Sequence, residues 1–223
     1  MVDVRPEPLR LAVFDCDGTL SDGQAAVCTA MERAFAQGHL PAPEPRDVRR
    51  IVGLSLPQAI AVLAPGSPPE EQRALVEAYK QAFRGARQDG TLSEPLFEGI
   101  DAVLHGLHAQ GWALGVATGK SDRGLASTLA THNLAALFTT LQTADRHPSK
   151  PHPAMLLAAM DAALAEPGDT VMIGDTVFDI EMAQVAGTRA IGVAWGYHEA
   201  EELLAAGAEA VAQTPGELME LLA

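Results

Sequence analysis

The feature that most restricts this chain's fold is a short apolar run that stops abruptly on acid. Leu9 to Phe14 carries Leu11, Val13 and Phe14, then gives way at once to Asp15-Cys16-Asp17-Gly18-Thr19. A continuous apolar run of this length suits a strand buried on both faces of a parallel sheet. Similar runs recur at Trp112 to Ala117, Thr170 to Ile173 and Arg189 to Ala194. The stretches between them are long enough for the helical crossovers that parallel strands require. The expectation is an α/β fold built from βαβ units.

Spacing supports the helices. Ile100, Val103, Leu104 and Leu107 fall on one face, as do Val27, Met31, Ala34 and Phe35. Two helix starts carry capping-box residues, Ser67 with Glu70 around Pro68 and Thr214 with Glu217 around Pro215. From about Ser21 to Pro95 strand patterning disappears and seven prolines, from Pro41 to Pro69, punctuate short helices. This predicts an α/β core of residues 1–20 and 96–223, interrupted by a helical insert of residues 21–95. The hinges are expected near Leu20 to Gly23 and Leu92 to Gly99.

A formal charge of −14 argues against nucleic acid and anionic membranes as partners, because both demand a field of Lys and Arg. Two cysteines, Cys16 and Cys28, are too few for a disulfide framework and fit a reducing, cytoplasmic location. Cys16 reads as a small apolar wedge. The amino-terminal stretch Met1 to Pro8 shows no basic region followed by an apolar one, so export is not expected. No obligate protein partner is evident.

Four segments place polar groups just after an apolar strand or at a turn, where open α/β sheets bind ligands. In the first, Gly18 lets the chain turn sharply behind Asp15 and Asp17. This pair has two readings: Asp17 caps the next helix, or Asp15 attacks phosphorus while Asp17 moves a proton. In the second, Thr118-Gly119-Lys120, a hydroxyl and a backbone N–H can donate to phosphate, although turn chemistry explains Thr-Gly equally. In the third, Ser149-Lys150-Pro151-His152-Pro153, Lys150 is held in a proline context and can offset the charge of carboxylates and phosphate. His147 and His152 read as residues of the surface or of a helix start. In the fourth, Gly174-Asp175-Thr176-Val177-Phe178-Asp179, two acids four residues apart can aim at one point. Such oxygen ligands suit Mg²⁺.

Taken in order, these four segments resemble the haloacid dehalogenase superfamily along essentially the whole chain. The insert resembles that superfamily's first, helical cap class. Val52-Gly53-Leu54-Ser55-Leu56-Pro57 and Ala194-Trp195-Gly196-Tyr197 add a likeness to phosphoglycolate phosphatase-like members. The resemblance implies a Rossmann-like doubly wound parallel sheet and hydrolysis of a small phosphorylated metabolite, phosphoglycolate-like or a sugar phosphate, through an aspartyl-phosphate. It makes Asp15 the nucleophile, Asp17 the acid and base, Thr118 and Gly119 phosphate ligands, and Lys150 the stabilising cation. Mg²⁺ then binds Asp15, the Asp17 carbonyl and Asp175, with Asp179 in support. Two departures, Ser21-Asp22-Gly23 where an acid often precedes serine and Gly119 where asparagine is common, bear on cap closure and substrate fit. A phosphomutase shares the aspartyl-phosphate and is the nearest alternative. A phospho-accepting regulatory module is the non-enzyme alternative, but it lacks an acid cluster after the lysine.

Between Pro45 and Gly90 there are seven basic residues against five acidic ones, in a chain that is otherwise strongly acidic. A basic insert over an acidic core would gather an anionic substrate. One of Arg49 and Arg50, beside Gly53-Leu54-Ser55, is expected to contact its non-reacting end, whereas Arg73, Lys80 and Arg87 read as solvated.

Overall fold

A computed structural model describes residues 9–223. The amino-terminal segment read above for an export signal, Met1 to Pro8, lies outside the described residues. Six parallel strands, β1 (Leu11–Phe14), β2 (Ala113–Thr118), β3 (Thr140–Thr143), β4 (Thr170–Gly174), β5 (Arg189–Val193) and β6 (Ala210–Ala212), form one sheet. Their order is β3-β2-β1-β4-β5-β6. The chain winds outwards in both directions from β1, so the topological switch lies between β1 and β4. A crevice opens there beyond the carboxyl ends of the strands.

Alternation along each strand feeds two cores. Ala12 and Phe14 of β1, with Val171 and Ile173 of β4, pack with α5 (Ile100–Ala109), α6 (Asp122–Thr131) and α10 (Pro215–Leu222). Leu11, Val13 and Met172 face the opposite side, against α7 (Ala154–Ala163), α8 (Val177–Ala186) and α9 (Ala200–Ala205). All four β1 residues are fully buried, which is why this strand reads as continuously apolar rather than alternating.

Four helices lie between β1 and α5: α1 (Gln24–Gln37), α2 (Pro45–Arg50), α3 (Leu56–Leu63) and α4 (Pro69–Gln88). They close over their own apolar cluster, including Val27, Met31, Phe35, Val48, Ile60 and Leu75. The chain leaves and re-enters the core side by side: Asp22 N–H donates to Pro95 O at 2.8 Å, and Phe97 N–H to Leu20 O at 3.1 Å.

Some local expectations need correction. Strands β3 and β6 add to the four that the apolar runs predict: Thr-Leu-Gln-Thr is polar and Ala-Val-Ala is short, so neither forms such a run. The Ser67–Glu70 capping box does not form: Pro68 takes the cap position of α4, and Ser67 lies one residue outside. At α10 the hydroxyl of Thr214 does accept from Glu217 N–H, at 3.2 Å, but the Glu217 carboxylate accepts from Gln213 N–H, not from Thr214.

Candidate active site

The β1 strand delivers Asp15 to the crevice fully buried. Its Oδ1 accepts from Cys16 N–H at 2.6 Å and lies 3.0 Å from the Lys150 ammonium, while its Oδ2 is buried without a partner. Lys150, on the loop between β3 and α7, is itself fully buried and reaches Asp179 Oδ1 at 2.5 Å. Asp179 is held in turn by a capping box at the start of α8, where its Oδ2 accepts from the Thr176 N–H and hydroxyl at 3.1 and 2.7 Å. Burial pushes the Asp15 carboxyl up to about 7; Lys150 opposes the rise, and Asp179 and Asp17 add to it. Burial also works against the charge of Lys150, but Asp15 and Asp179 outweigh it, so its pKa lies above the ordinary value.

Asp175 follows β4 and is fully buried. Thr19 donates its hydroxyl to Oδ1 at 2.8 Å, and Tyr197 N–H donates to Oδ2 at 2.9 Å. Gly18 makes this approach possible: its φ is +86°, and a Cβ there would lie 2.1 Å from Asp175 Oδ2. Burial, then the charges of Asp15 and Asp179, raise the Asp175 carboxyl well above the usual carboxylate range. Carboxylate oxygens of Asp15, Asp175 and Asp179 lie within 4.8 Å of one another, a set that can hold a metal ion. Three buried carboxylates beside one buried ammonium leave an excess of negative charge that a divalent cation would balance. The unpartnered Asp15 Oδ2 is an oxygen free to bind it.

Asp17 sits apart from this cluster. Its Oδ1 lies 2.9 Å from the Lys120 ammonium, as an ion pair, and Lys120 also contacts Glu94 Oε1 at 2.5 Å. Burial raises the Asp17 carboxyl, Lys120 opposing and Glu94 adding to the rise. Thr118 ends β2 buried, its hydroxyl accepting from Lys120 N–H at 3.2 Å.

A cavity of about 420 Å³ opens above these groups. Asp15, Asp17, Thr118, Gly119 and Lys120 line it from the sheet, and Gly53 to Pro57 with Tyr79, Phe83, Arg84 and Arg87 line it from the insert. The insert comes so close that a Cβ on Gly119 would lie 2.5 Å from Leu54 O. Ser149 fastens the same turn, its hydroxyl accepting from Ser55 N–H at 2.7 Å.

The structure does not bring Arg49 or Arg50 to this cavity. Arg50 is engaged by Glu202 of α9 in a bidentate pair, both contacts 2.8 Å, which carries its guanidinium to the outer surface. Arg49 points at Gln24, whose amide oxygen, oriented to satisfy both groups, accepts at 2.9 Å. Lys80, Arg84 and Arg87 of α4 line the cavity instead, although Lys80 also pairs with exposed Glu77. His152 accepts from Ala154 N–H at the start of α7, and His147 contacts Gln142; neither lines the cavity. Sequence reasoning missed Glu94 and the use of Lys120, Thr19 and Thr176. Thr19 and Thr176 adjoin motif acids, which is a usable signal, whereas nothing local marks Glu94.

The chain matches the haloacid dehalogenase-like hydrolase family over residues 12–193. It is 35% identical over 216 residues to the probable phosphatase IndB of Dickeya dadantii, covering 94% of this chain and 91% of that protein. It is 27% identical to a phosphoglycolate phosphatase of Vibrio parahaemolyticus, covering 97% of each. Its fold is similar to that of a predicted phosphatase from Clostridium acetobutylicum, with a TM-score of 0.87 and 24% identity over 96% of this chain and 98% of that one. With the strand-end acids, the buried lysine and this span of similarity in hand, the chain belongs to the haloacid dehalogenase-like hydrolase family, beside its phosphoglycolate phosphatase-like members.

Proposed function

We propose that this chain, a phosphatase of that family, hydrolyses small phosphate monoesters through an aspartyl-phosphate on Asp15, with Mg²⁺ as cofactor. The observation that carries the reading is Asp15 itself. It is a buried strand-end carboxylate with one oxygen tied to Lys150 and the other unpartnered, and the residue lines the cavity with Thr118 and Gly119.

In this reading Asp15 attacks phosphorus, the bond from phosphorus to the alcohol oxygen breaks, and Asp17 gives that oxygen its proton. Asp17, now a carboxylate, takes a proton from water. The resulting hydroxide attacks phosphorus, the bond to Asp15 breaks and inorganic phosphate leaves. Thr118 and the Gly119 N–H receive phosphoryl oxygens, and Lys150 offsets their charge. Asp15, Asp175 and the Asp17 carbonyl would hold Mg²⁺, with Asp179 kept for Lys150. The cation supplies positive charge against the phosphoryl oxygens and favours the ionised form of Asp15.

Residues 21–95 act as a cap over the site. Phosphoglycolate-like and sugar phosphates are the proposed substrates, supported by the names of the relatives and by the cavity's size. Arg84 and Arg87, which line the cavity and have no ion-pair partner among the described residues, are proposed to meet the non-reacting end. The test is hydrolysis of p-nitrophenyl phosphate with Mg²⁺, which EDTA and Asp15→Asn should each abolish. Activity persisting in Asp15→Asn would sink the mechanism.

A further inference from the structure

Two groups of the same kind flank the cavity floor, each a buried ammonium between two carboxylates. Asp15, Lys150 and Asp179 form one and are used by the mechanism. Asp17, Lys120 and Glu94 form the other, and neither Lys120 nor Glu94 has a part in the steps above. Both are largely shielded, with 10% of the Lys120 side chain and 8% of the Glu94 side chain exposed.

Glu94 is held on three sides. Its Oε1 contacts Lys120, its Oε2 accepts from the Thr128 hydroxyl at 3.3 Å, and its carbonyl accepts from His132 Nε2 at 2.8 Å. The opposite link packs against the same group: a Cβ on Gly23 would lie 2.9 Å from Asp17 Oδ1 and 3.6 Å from Glu94 Oε1. Resting on the proposed phosphatase reading, we infer that Glu94 is a positioning residue which, through Lys120, aims the Asp17 carboxyl at the leaving-group oxygen.

The argument is one of charge and geometry. A buried ammonium requires a counter-charge, and Glu94 supplies it whatever Asp17 does during the cycle. Lys120 can therefore hold Asp17 Oδ1 by charge, at 2.9 Å though off the line of a hydrogen bond, without depending on Asp17 for its own neutralisation. The open part of the Asp17 side chain, 13% of its area, then faces the cavity that it lines. With Glu94 removed, Lys120 keeps its charge, loses its anchor and follows Asp17 or the solvent.

The experiment compares kcat/KM on two classes of substrate. An alkoxide leaving group needs a proton as it departs, whereas p-nitrophenolate departs without one, so a fault confined to Asp17 separates them. Glu94→Gln should lower kcat/KM for the best alkyl phosphate at least about tenfold more than for p-nitrophenyl phosphate, within the range that one positioned proton donor contributes. The alkyl loss should fall on kcat rather than KM. In a Lys120→Gln background the same change should add less than about twofold, because Glu94 acts through Lys120. Should Glu94→Gln fold poorly, Lys120→Gln alone gives the same comparison of substrates. Equal losses on both substrates, or additive losses in the double variant, overturn the inference while leaving the phosphatase reading intact. A wild-type protein that hydrolyses neither substrate with Mg²⁺ overturns both.

Discussion

Replacing Lys150 with methionine keeps the length of an apolar stem and deletes the charge at the centre of the site. The Lys150 and Asp179 side chains are 0% exposed and that of Asp15 is 1% exposed, so no water stands ready to replace the ammonium. Removing one member of such a buried ionic group costs about 3–5 kcal/mol, because the partners left behind stay desolvated and unpaired. For a chain of this size that corresponds to a fall of roughly 6–20 °C in the thermal midpoint. Protonation offers a partial escape: Asp15, already pushed up to about 7 by burial and losing the cation that opposed the rise, can become neutral. The penalty should therefore be smaller at pH 6 than at pH 8. Denaturant unfolding of metal-free protein at both values, followed by circular dichroism with an unchanged m-value, measures it. A loss under about 1 kcal/mol at pH 8, or a loss that grows as the pH falls, would refute the view that Lys150 neutralises this pair.

Stability of the metal-free protein should fall as pH rises from about 4 to about 7, since Asp15 holds its proton in the folded state over a range where the unfolded chain has released it. Asp17 and Asp175, also raised, act in the same direction, and the slope should flatten in Asp15→Asn; a wild-type midpoint that climbs across this window contradicts the assignment. Gly119→Asn should lower kcat/KM by up to about a hundredfold, the scale of an ångström's misplacement. Its side chain must displace the Gly53-Leu54 carbonyls, which a Cβ would meet at 2.8 and 2.5 Å, and unchanged kinetics would show that the turn yields freely. Arg50→Ala should move the thermal midpoint by no more than about 4 °C, because its pair with Glu202 is 47% and 34% exposed, and should leave KM unchanged where Arg87→Ala raises it. The opposite pattern of KM values would return the anion-binding role to Arg50.

The four strands anticipated from apolar runs are all present because each is buried on both faces, a condition that leaves little room for polar residues. Strand β3 is largely buried too, but with polar residues whose hydrogen bonds are met locally: the Gln142 amide donates to the Thr140 hydroxyl and the Thr143 hydroxyl to Asp122, so hydropathy gives no sign of it. The gathering of Asp15, Lys150, Asp175 and Asp179 is legible because Asp15 and Asp175 follow strand ends, Asp179 opens a helix and Lys150 stands just ahead of one, and a parallel sheet sends its strand ends to one side. Arg49 and Arg50 were judged from their neighbours in sequence, but direction on a short helix is set by what lies across the interface. Here that is Glu202, 152 positions away from Arg50. Glu94 was illegible for the same reason, its partner Lys120 being 26 residues distant.

The two lysine-centred groups also explain how one site can keep two aspartates, two residues apart, in different employment. Asp15, Lys150 and Asp179 come from the end of β1, the β3–α7 loop and α8, and none of the three is a residue of the insert. Asp17, Lys120 and Glu94 draw one member from the link that returns from the insert, which is itself bonded to the outgoing link at Asp22 and Pro95. A shift of the insert that moves this link reaches Asp17 through Glu94 and Lys120, whereas it reaches the Lys150 loop through the Ser55–Ser149 hydrogen bond and the packing of Gly53 on Thr176. On the proposed mechanism, the attacking carboxylate stands at the end of β1, while the proton donor is linked through Lys120 and Glu94 to the segment that returns from the insert. On that mechanism, the link through Glu94 and Lys120 gives a movement of residues 21–95 a direct route to the group that protonates the departing alcohol.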